Sequence, residues 1–413
     1  MEKADKKRIE QWIDGMNAFN STPGFGTTRV LFTEPEIRNR KYVKDEMKKL
    51  GLVVTEDAIG NIFATLIGSE PQEAPVWTGS HIDTVLNAGK FDGMAGVVCG
   101  MEALRLIKES GLRHKRSLTV VVYTSEEPTR FGLSCLGSRA MAGELTVYDA
   151  DNLKDESGKS LRQVLEELHY NMKDFSDIQK HAGEVYAALE LHIEQNNRME
   201  RGHQSIGIVK KICAPSNYSV KVSGVQSHAG GTDMIDRRDA YAASCEMSLL
   251  LEKMATECKS EYNTATIGKV EVSPGAINVV PGQVTFSVDI RDCNMDTKQE
   301  LIRKWKEGVA QIAEKRGVSV CIEEENNDMP LACDEKMVNI LQKICEEKEL
   351  AYGYHISGPY HDTLFVGRFT RAAMIFVPSK NGISHSPQEW TDYEELAVGT
   401  DVLAEALLKL ANE

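Results

Sequence analysis

The sequence predicts an α/β protein whose mostly parallel sheet is flanked by helices and interrupted by a smaller α+β domain. Three observations carry that reading. Short apolar runs end abruptly in polar residues at "PVWTGSHID" (75–83), "SLTVVVYTSEE" (117–127) and "LELHIEQ" (189–195). A helical segment, "GMAGVVCGMEALRLIKESG" (93–111), separates the first two, and strand-helix-strand order favours parallel pairing. From about Ile212 the texture changes to strands alternating with period two.

Taken in order, "KYVKDEMKKLG" (41–51) has helical spacing and a glycine stop, and "LVVTEDAIGNIFATLIG" (52–68) reads as two strands joined by a turn. The three apolar runs then supply buried strands. After Ile212 come the strand "SNYSVKVSG", the long amphipathic helix "DRRDAYAASCEMSLLLEKMATEC" and the alternating strands "TATIGKVEVSPG" and "GQVTFSVDIRD". The helix "MDTKQELIRKWKEGVAQIAEKRG" and the strand "VSVCIEEEN" follow. The order β-α-β-β-α-β is that of a ferredoxin-like split βαβ unit. Signals of the first kind resume at "LACDEKMVNILQKICEEKELAYGYHISG". The expected division is therefore a catalytic domain of residues 1–211 and 328–413, with an inserted domain of residues 212–327.

Composition narrows the function. The 413 residues carry a net charge of −14, which argues against nucleic acid or an anionic membrane as the main partner. No apolar run approaches the roughly 18–20 residues of a membrane span. The opening "MEKADKKRIEQWIDGM" is charged and lacks the apolar stretch of a secretory signal. Nine scattered cysteines without a CxxC pair read as reduced thiols of a cytoplasmic protein.

Histidines and acids at the ends of apolar runs mark the candidate site. His81 lies two residues before Asp83 and shortly before Asp92 in "GSHIDTVLNAGKFDG". His192 ends an apolar run, Glu126 and Glu127 end another, and His228, His361 and His385 sit in "QSHAGG", "YHDTLF" and "NGISHSP". Taken singly, a histidine at a strand end is more often a satisfied loop residue than a ligand. Taken together, the strand ends of a parallel sheet converge on one crevice, and imidazole with carboxylate is what zinc or manganese takes in a hydrolytic site. Two ions about 3.5–4 Å apart need a bridging carboxylate, which either Asp83 or Asp92 could supply.

Six segments in this order, "GSHIDTVLNAGKFDG", "TSEEPTRFG", "LELHIEQ", "QSHAGG", "PGAINVVPG" and "GISHSP", resemble the M20 metallopeptidase-type amidohydrolases. Within them the chain is similar to the hydantoinase/carbamoylase branch, which acts on allantoate, ureidoglycolate and N-carbamoyl-L-amino acids. "EEPTRFGLSCLGSR" and "YHDTLF" look most like its ureidoglycolate-hydrolysing members. The chain departs from the branch at Asn196, where glycine is usual, and at Thr232-Asp233-Met234, where Thr-Pro-Met is usual.

The resemblance implies two divalent ions per subunit, Mn²⁺ or Zn²⁺. Asp92 bridges them, His81 and His192 complete one ligand set, and Glu127 and His385 complete the other. Asp83 orients His81 through its second ring nitrogen, and Glu126 is the general base toward a metal-acidified water. His228 stabilises the oxyanion in a neighbouring subunit's site, so the inserted domain serves as lid and homodimer contact. Arg291 anchors a substrate carboxylate, Gln195 and Asn278 add neutral hydrogen bonds, and His361 lies in or just behind the substrate pocket. From its position alone, Arg291 reads equally as a strand-end partner of Asp289 or Asp292. The implied reaction is hydrolysis of a linear C–N bond in a ureido or N-carbamoyl acid with release of ammonia. An aminoacylase or dipeptidase would share every metal ligand. A non-catalytic scaffold on this fold is expected to lack Glu126, which is present.

Overall fold

The computed structural model describes residues 1–413. The chain divides into two compact units. The first comprises Met1–Lys210, Cys333–His355 and His361–Glu413, and the second comprises Lys211–Ala332 and Ile356–Tyr360. The second thus takes in Lys211, 328–332 and 356–360, which the sequence division left with the first. Backbone pairing explains this: Leu331 and Ala332 pair with Ile212 and Lys211, and the Cys213 N–H donates to the Ser357 carbonyl at 2.8 Å.

Strands in chain order begin with β1 (Val53–Glu56), β2 (Ile62–Leu66), β3 (Val76–His81), β4 (Leu118–Tyr123), β5 (Ala187–Ile193) and β6 (Ile206–Ile212). Next come β7 (Ala214–Ser223), β8 (Ser227–His228), β9 (Asn263–Thr266), β10 (Val270–Ser273), β11 (Val279–Val280) and β12 (Gln283–Asp292). The last are β13 (Ser319–Asn327), β14 (Leu331–Ala332), β15 (Tyr352–Ser357) and β16 (Arg371–Val377).

The first unit is built on a mixed sheet of order β1-β2-β4-β3-β5-β16-β6, with β15 also paired to β6. Its centre is parallel: β3 pairs with β4 and β5, and β5 with β16, all in parallel. Antiparallel β2 and β6 flank that centre. The central strands β3, β4 and β5 are buried at every position, as expected of a parallel sheet covered on both faces. The helix Met94–Ser110 packs between β3 and the helix Tyr393–Asn412. It is apolar nearly all round, and its residues from Met94 to Ile107 are buried, as sandwiching by two layers requires.

Two features escaped the sequence reading. The charged N-terminus forms a helix, Lys6–Asn17, whose Ile9, Trp12, Ile13 and Met16 form a buried stripe at helical spacing. Between β4 and β5 run the short helices Leu136–Ala142, Val147–Asn152 and Leu161–Glu167. The latter two start with capping boxes, Thr146 with Asp149 and Ser160 with Gln163, which offset the weak propensity of such short helices.

The second unit is an antiparallel sheet of order β10-β12-β7-β13, with β9 also on β12, packed with the helices Ala240–Glu257 and Met295–Arg316. Its core gathers Tyr218, Val220, Val222, Met247, Phe286 and Trp305. A two-residue ribbon, β8 with β11, sets His228 opposite Val279. No helix of the chain is long and apolar enough to cross a membrane.

Candidate metal centre

The parallel centre of the first sheet brings four carboxyl ends to one side. His81 is the last residue of β3, and His192 the last but one of β5, in register with Phe376 of β16. Glu126 and Glu127 follow β4, and His385 follows β16. All but His385 are buried.

These side chains converge on Asp92. The Nε2 of His192 lies 3.2 Å from Asp92 Oδ1, and that of His81 lies 3.8 Å from the same oxygen. The other oxygen, Oδ2, is 3.0 Å from His385 Nε2, which is also 3.5 Å from Glu127 Oε1. The two buried imidazoles are each aimed by their remaining nitrogen. His81 Nδ1 meets the Asp83 carbonyl and His192 Nδ1 the Ile193 carbonyl, both at 3.0 Å. A carbonyl only accepts, so Nδ1 carries the proton and Nε2 keeps its lone pair for a ligand. The donor sets His81–Asp92–His192 and Asp92–Glu127–His385 each gather within 4.8 Å and share Asp92. Three imidazoles and two carboxylates, with no thiol, fit a pair of divalent cations of borderline hardness.

A third group, Glu190–His192–His361, gathers as closely. Glu190 is already used: one oxygen accepts from Ser80 Oγ at 2.8 Å, the other from the Thr363 backbone and hydroxyl at 3.2 and 2.5 Å. His361 packs edge-on against His192 with ring centroids 4.5 Å apart. This layer is a buried support beneath the centre.

Asp83 has a broader task than expected. Its carboxylate is 3.7 Å from His81 Nδ1, farther than its own backbone carbonyl. Instead it accepts the backbone N–H groups of Glu126 at 3.3 Å and Glu127 at 3.1 Å. On the other side of that turn, the carbonyls of Thr124, Ser125 and Glu126 accept from Gly137, Leu136 and Cys135. Ser125 is thereby held at φ 58°, a left-handed conformation that a non-glycine residue keeps only where its surroundings insist. His385 also takes a left-handed conformation, at φ 53°. Gly93, at φ 68°, is required by close approach as well, since a Cβ there would fall on the His81 ring.

Burial and neighbouring charges shift the protons of the cluster. Burial, then the Glu127 and Asp362 charges, raise Glu126 well above the usual carboxylate range. Burial and then Asp92 raise Glu127 to about 8. Burial alone would lower His192, but the hydrogen bond and charge of Asp92 outweigh it and raise it to about 9. The Asp92 hydrogen bond raises His385 to about 9.

The residues expected from the second unit lie within that unit. The Ala229 N–H donates to the Asn278 carbonyl at 2.9 Å, which brings Asn278 beside the exposed His228. His228 Nδ1 accepts the Gly230 N–H at 3.1 Å, so the neutral ring carries its proton on Nε2. Arg291 is gripped by Asp289 along its Nε–Nη2 edge, at 3.0 and 2.9 Å, the strand-end pairing that its position allowed. Gln195, in the first unit, was expected at the substrate. Its amide donates to Asp92 Oδ2 at 3.2 Å and to Ser384 Oγ at 3.3 Å. Glu389 was missed altogether. It is a buried carboxylate that accepts the backbone N–H groups of Phe91 and Asp92. A lone glutamate in "SPQEW" gives no sequence signal of burial.

Comparison with known proteins places the arrangement. Residues 77–409 match the model of peptidase family M20/M25/M40. The chain belongs to this family. It is 38% identical to the ureidoglycolate hydrolase of Arabidopsis thaliana, over 98% of this chain and 87% of that protein. It is 34% identical to the allantoate amidohydrolase of Bacillus subtilis, over 98% of each chain. A crystal structure of AtUAH in complex with (S)-hydroxyglycine superposes with a TM-score of 0.88 at 37% identity, over 99% of this chain and 98% of that one. M20 enzymes are metal-dependent, and this member carries the clusters to hold metal. It is a hydrolase acting on C–N bonds of linear amides.

The proton load of the M20 cluster gives a first expected result. Unfolded, glutamate and histidine titrate near 4.5 and 6.5, so raised folded values make the metal-free chain lose stability as pH climbs toward 9. Metal must displace those protons, so its affinity rises over the same window. The increase in Tm on adding Mn²⁺ to chelator-stripped protein should be larger at about pH 8.5 than at about pH 6.5. An equal or smaller increase at the higher pH would contradict the cluster as the binding site.

Proposed function

We propose that this enzyme hydrolyses the terminal ureido C–N bond of ureidoglycolate, releasing ammonia, with two divalent ions held around Asp92. One observation carries the reading: Asp92 turns one oxygen to His81 and His192 and the other to His385, while Glu126 stands beside the centre, outside both donor sets. His81, His192 and Asp92 would hold one ion, and Asp92, Glu127 and His385 the other. Bound there, Mn²⁺ or Zn²⁺ supplies the positive charge that acidifies a water and polarises the ureido carbonyl.

The chain's own groups do the rest. Glu126 Oε2, 3.7 Å from His81 Nε2, takes the proton of the attacking water and passes it to the leaving nitrogen. Asp83 fixes the backbone from which Glu126 and Glu127 diverge. His228, from the neighbouring subunit of a homodimer formed through the second unit, offers its Nε2–H to the developing oxyanion. Arg291, steadied by Asp289, takes the substrate carboxylate, and Asn278 adds a neutral hydrogen bond. The products are ammonia and a carbamate, which loses CO₂ to leave hydroxyglycine. The neighbour solved with (S)-hydroxyglycine supports that product. The nine free thiols support a reducing, cytoplasmic setting.

The test is ammonia release from ureidoglycolate, allantoate and an N-carbamoyl-L-amino acid, with Mn²⁺ and Zn²⁺ supplied in turn. The largest kcat/KM is expected for ureidoglycolate. A larger value for either of the others would move the substrate, and release from none would refute the reading.

A further inference from the structure

Asp92 is braced by a closed ring of hydrogen bonds that no ligand assignment includes. Glu389 Oε1 accepts the Phe91 N–H at 2.8 Å and the Asp92 N–H at 3.1 Å. Its other oxygen, Oε2, accepts from Ser384 Oγ at 2.8 Å. Ser384 Oγ in turn accepts one amide hydrogen of Gln195 at 3.3 Å, and the second goes to Asp92 Oδ2 at 3.2 Å. Every proton in this ring has one donor and one acceptor, and the shorter contact gives the single Ser384 hydrogen to Glu389 rather than to Asp92, 3.3 Å away. The ring spans three segments: the loop after β3, the end of β5 and the loop after β16. Glu389 is 3% exposed. Its approach has its own steric requirement, since a Cβ on Gly89 would overlap the Glu389 side chain.

The ring is lopsided toward one half of the centre. Its one contact with the Asp92 carboxylate is at Oδ2, the oxygen that faces His385, and it grips Ser384, the residue before His385. His81 and His192 are aimed by separate backbone carbonyls. We infer that Glu389 is a positioning residue for the ion held by Asp92, Glu127 and His385, acting through Ser384 and the Asp92 backbone. The inference rests on the reading of Asp92 as the shared ligand. Groups that orient ligands in this way typically contribute 10–100-fold to metal affinity.

The experiment is Mn²⁺ and Zn²⁺ titration of the chelator-stripped full chain by calorimetry, with His192→Ala and His385→Ala assigning each binding step to its ion. Glu389→Ala should weaken the His385 step roughly 10–100-fold and leave the His192 step near wild type. Glu389→Gln should restore the His385 step, because its carbonyl still accepts the two backbone N–H groups and its amide can donate to Ser384. Ser384→Ala opens the ring without emptying the Glu389 site, so it should weaken the same step even if Glu389→Ala fails to fold. Unchanged binding in Glu389→Ala and Ser384→Ala, or equal loss of both steps, would overturn the inference. Asp92→Ala that keeps both steps would instead overturn the metal reading beneath it, which separates the two failures.

Discussion

Replacing Glu126 with glutamine lowers kcat by roughly 10²–10⁴-fold, the usual contribution of a general base, while metal content and KM stay close to wild type. The expectation follows from where the side chain sits. Glu126 Oε2 approaches His81 Nε2 to 3.7 Å, yet the donor sets around Asp92 are complete without it. Glutamine keeps shape and hydrogen-bonding capacity, and the Glu126 backbone stays pinned by Asp83. Only the capacity to take a proton is lost. Metal analysis beside steady-state kinetics checks both halves. A mutant that loses an ion would show that Glu126 and Glu127 have exchanged roles.

Replacing Asp92 with alanine has the larger effect. It removes the single carboxylate common to both donor sets, so both ions are lost and activity falls to background. In the metal-free chain it also leaves the buried His192, protonated beside Asp92, and the half-buried Gln195 amide without their acceptor, and a buried polar group left unpaired costs about 1–3 kcal/mol. The mutant should therefore melt below the wild type even when both are metal-free. Two ions retained at wild-type affinity would exclude Asp92 as the bridge.

The converging side chains were legible in the sequence because their chemistry is conspicuous where it stands. His81, Glu126, Glu127 and His192 interrupt apolar strands at their carboxyl ends, and strand parallelism brings those ends together. Asp92 and His385 stood out by their neighbours, and their roles as bridge and ligand came from the family resemblance. What stayed hidden is the bracing. Asp83 was expected to serve only His81, but its carboxylate reaches the backbone of residues 126 and 127, a contact set by the turn at Ser125 and invisible to residue spacing. Glu389 and Gln195 act on Asp92 from loops distant in sequence, and a glutamate in a polar loop looks solvated until the fold buries it. In the fold, the parallel centre and the antiparallel second unit followed from periodicity. The helices between β4 and β5 did not, although Thr146 and Ser160 carry capping signals that a finer reading could have used.

Two ions are proposed to share Asp92. Anomalous scattering from crystals grown with Mn²⁺ or Zn²⁺ tests it most directly. Two peaks about 3.5–4 Å apart are expected, one among His81, Asp92 and His192 and one among Asp92, Glu127 and His385. A single peak, or a peak among Glu190, His192 and His361, would contradict it.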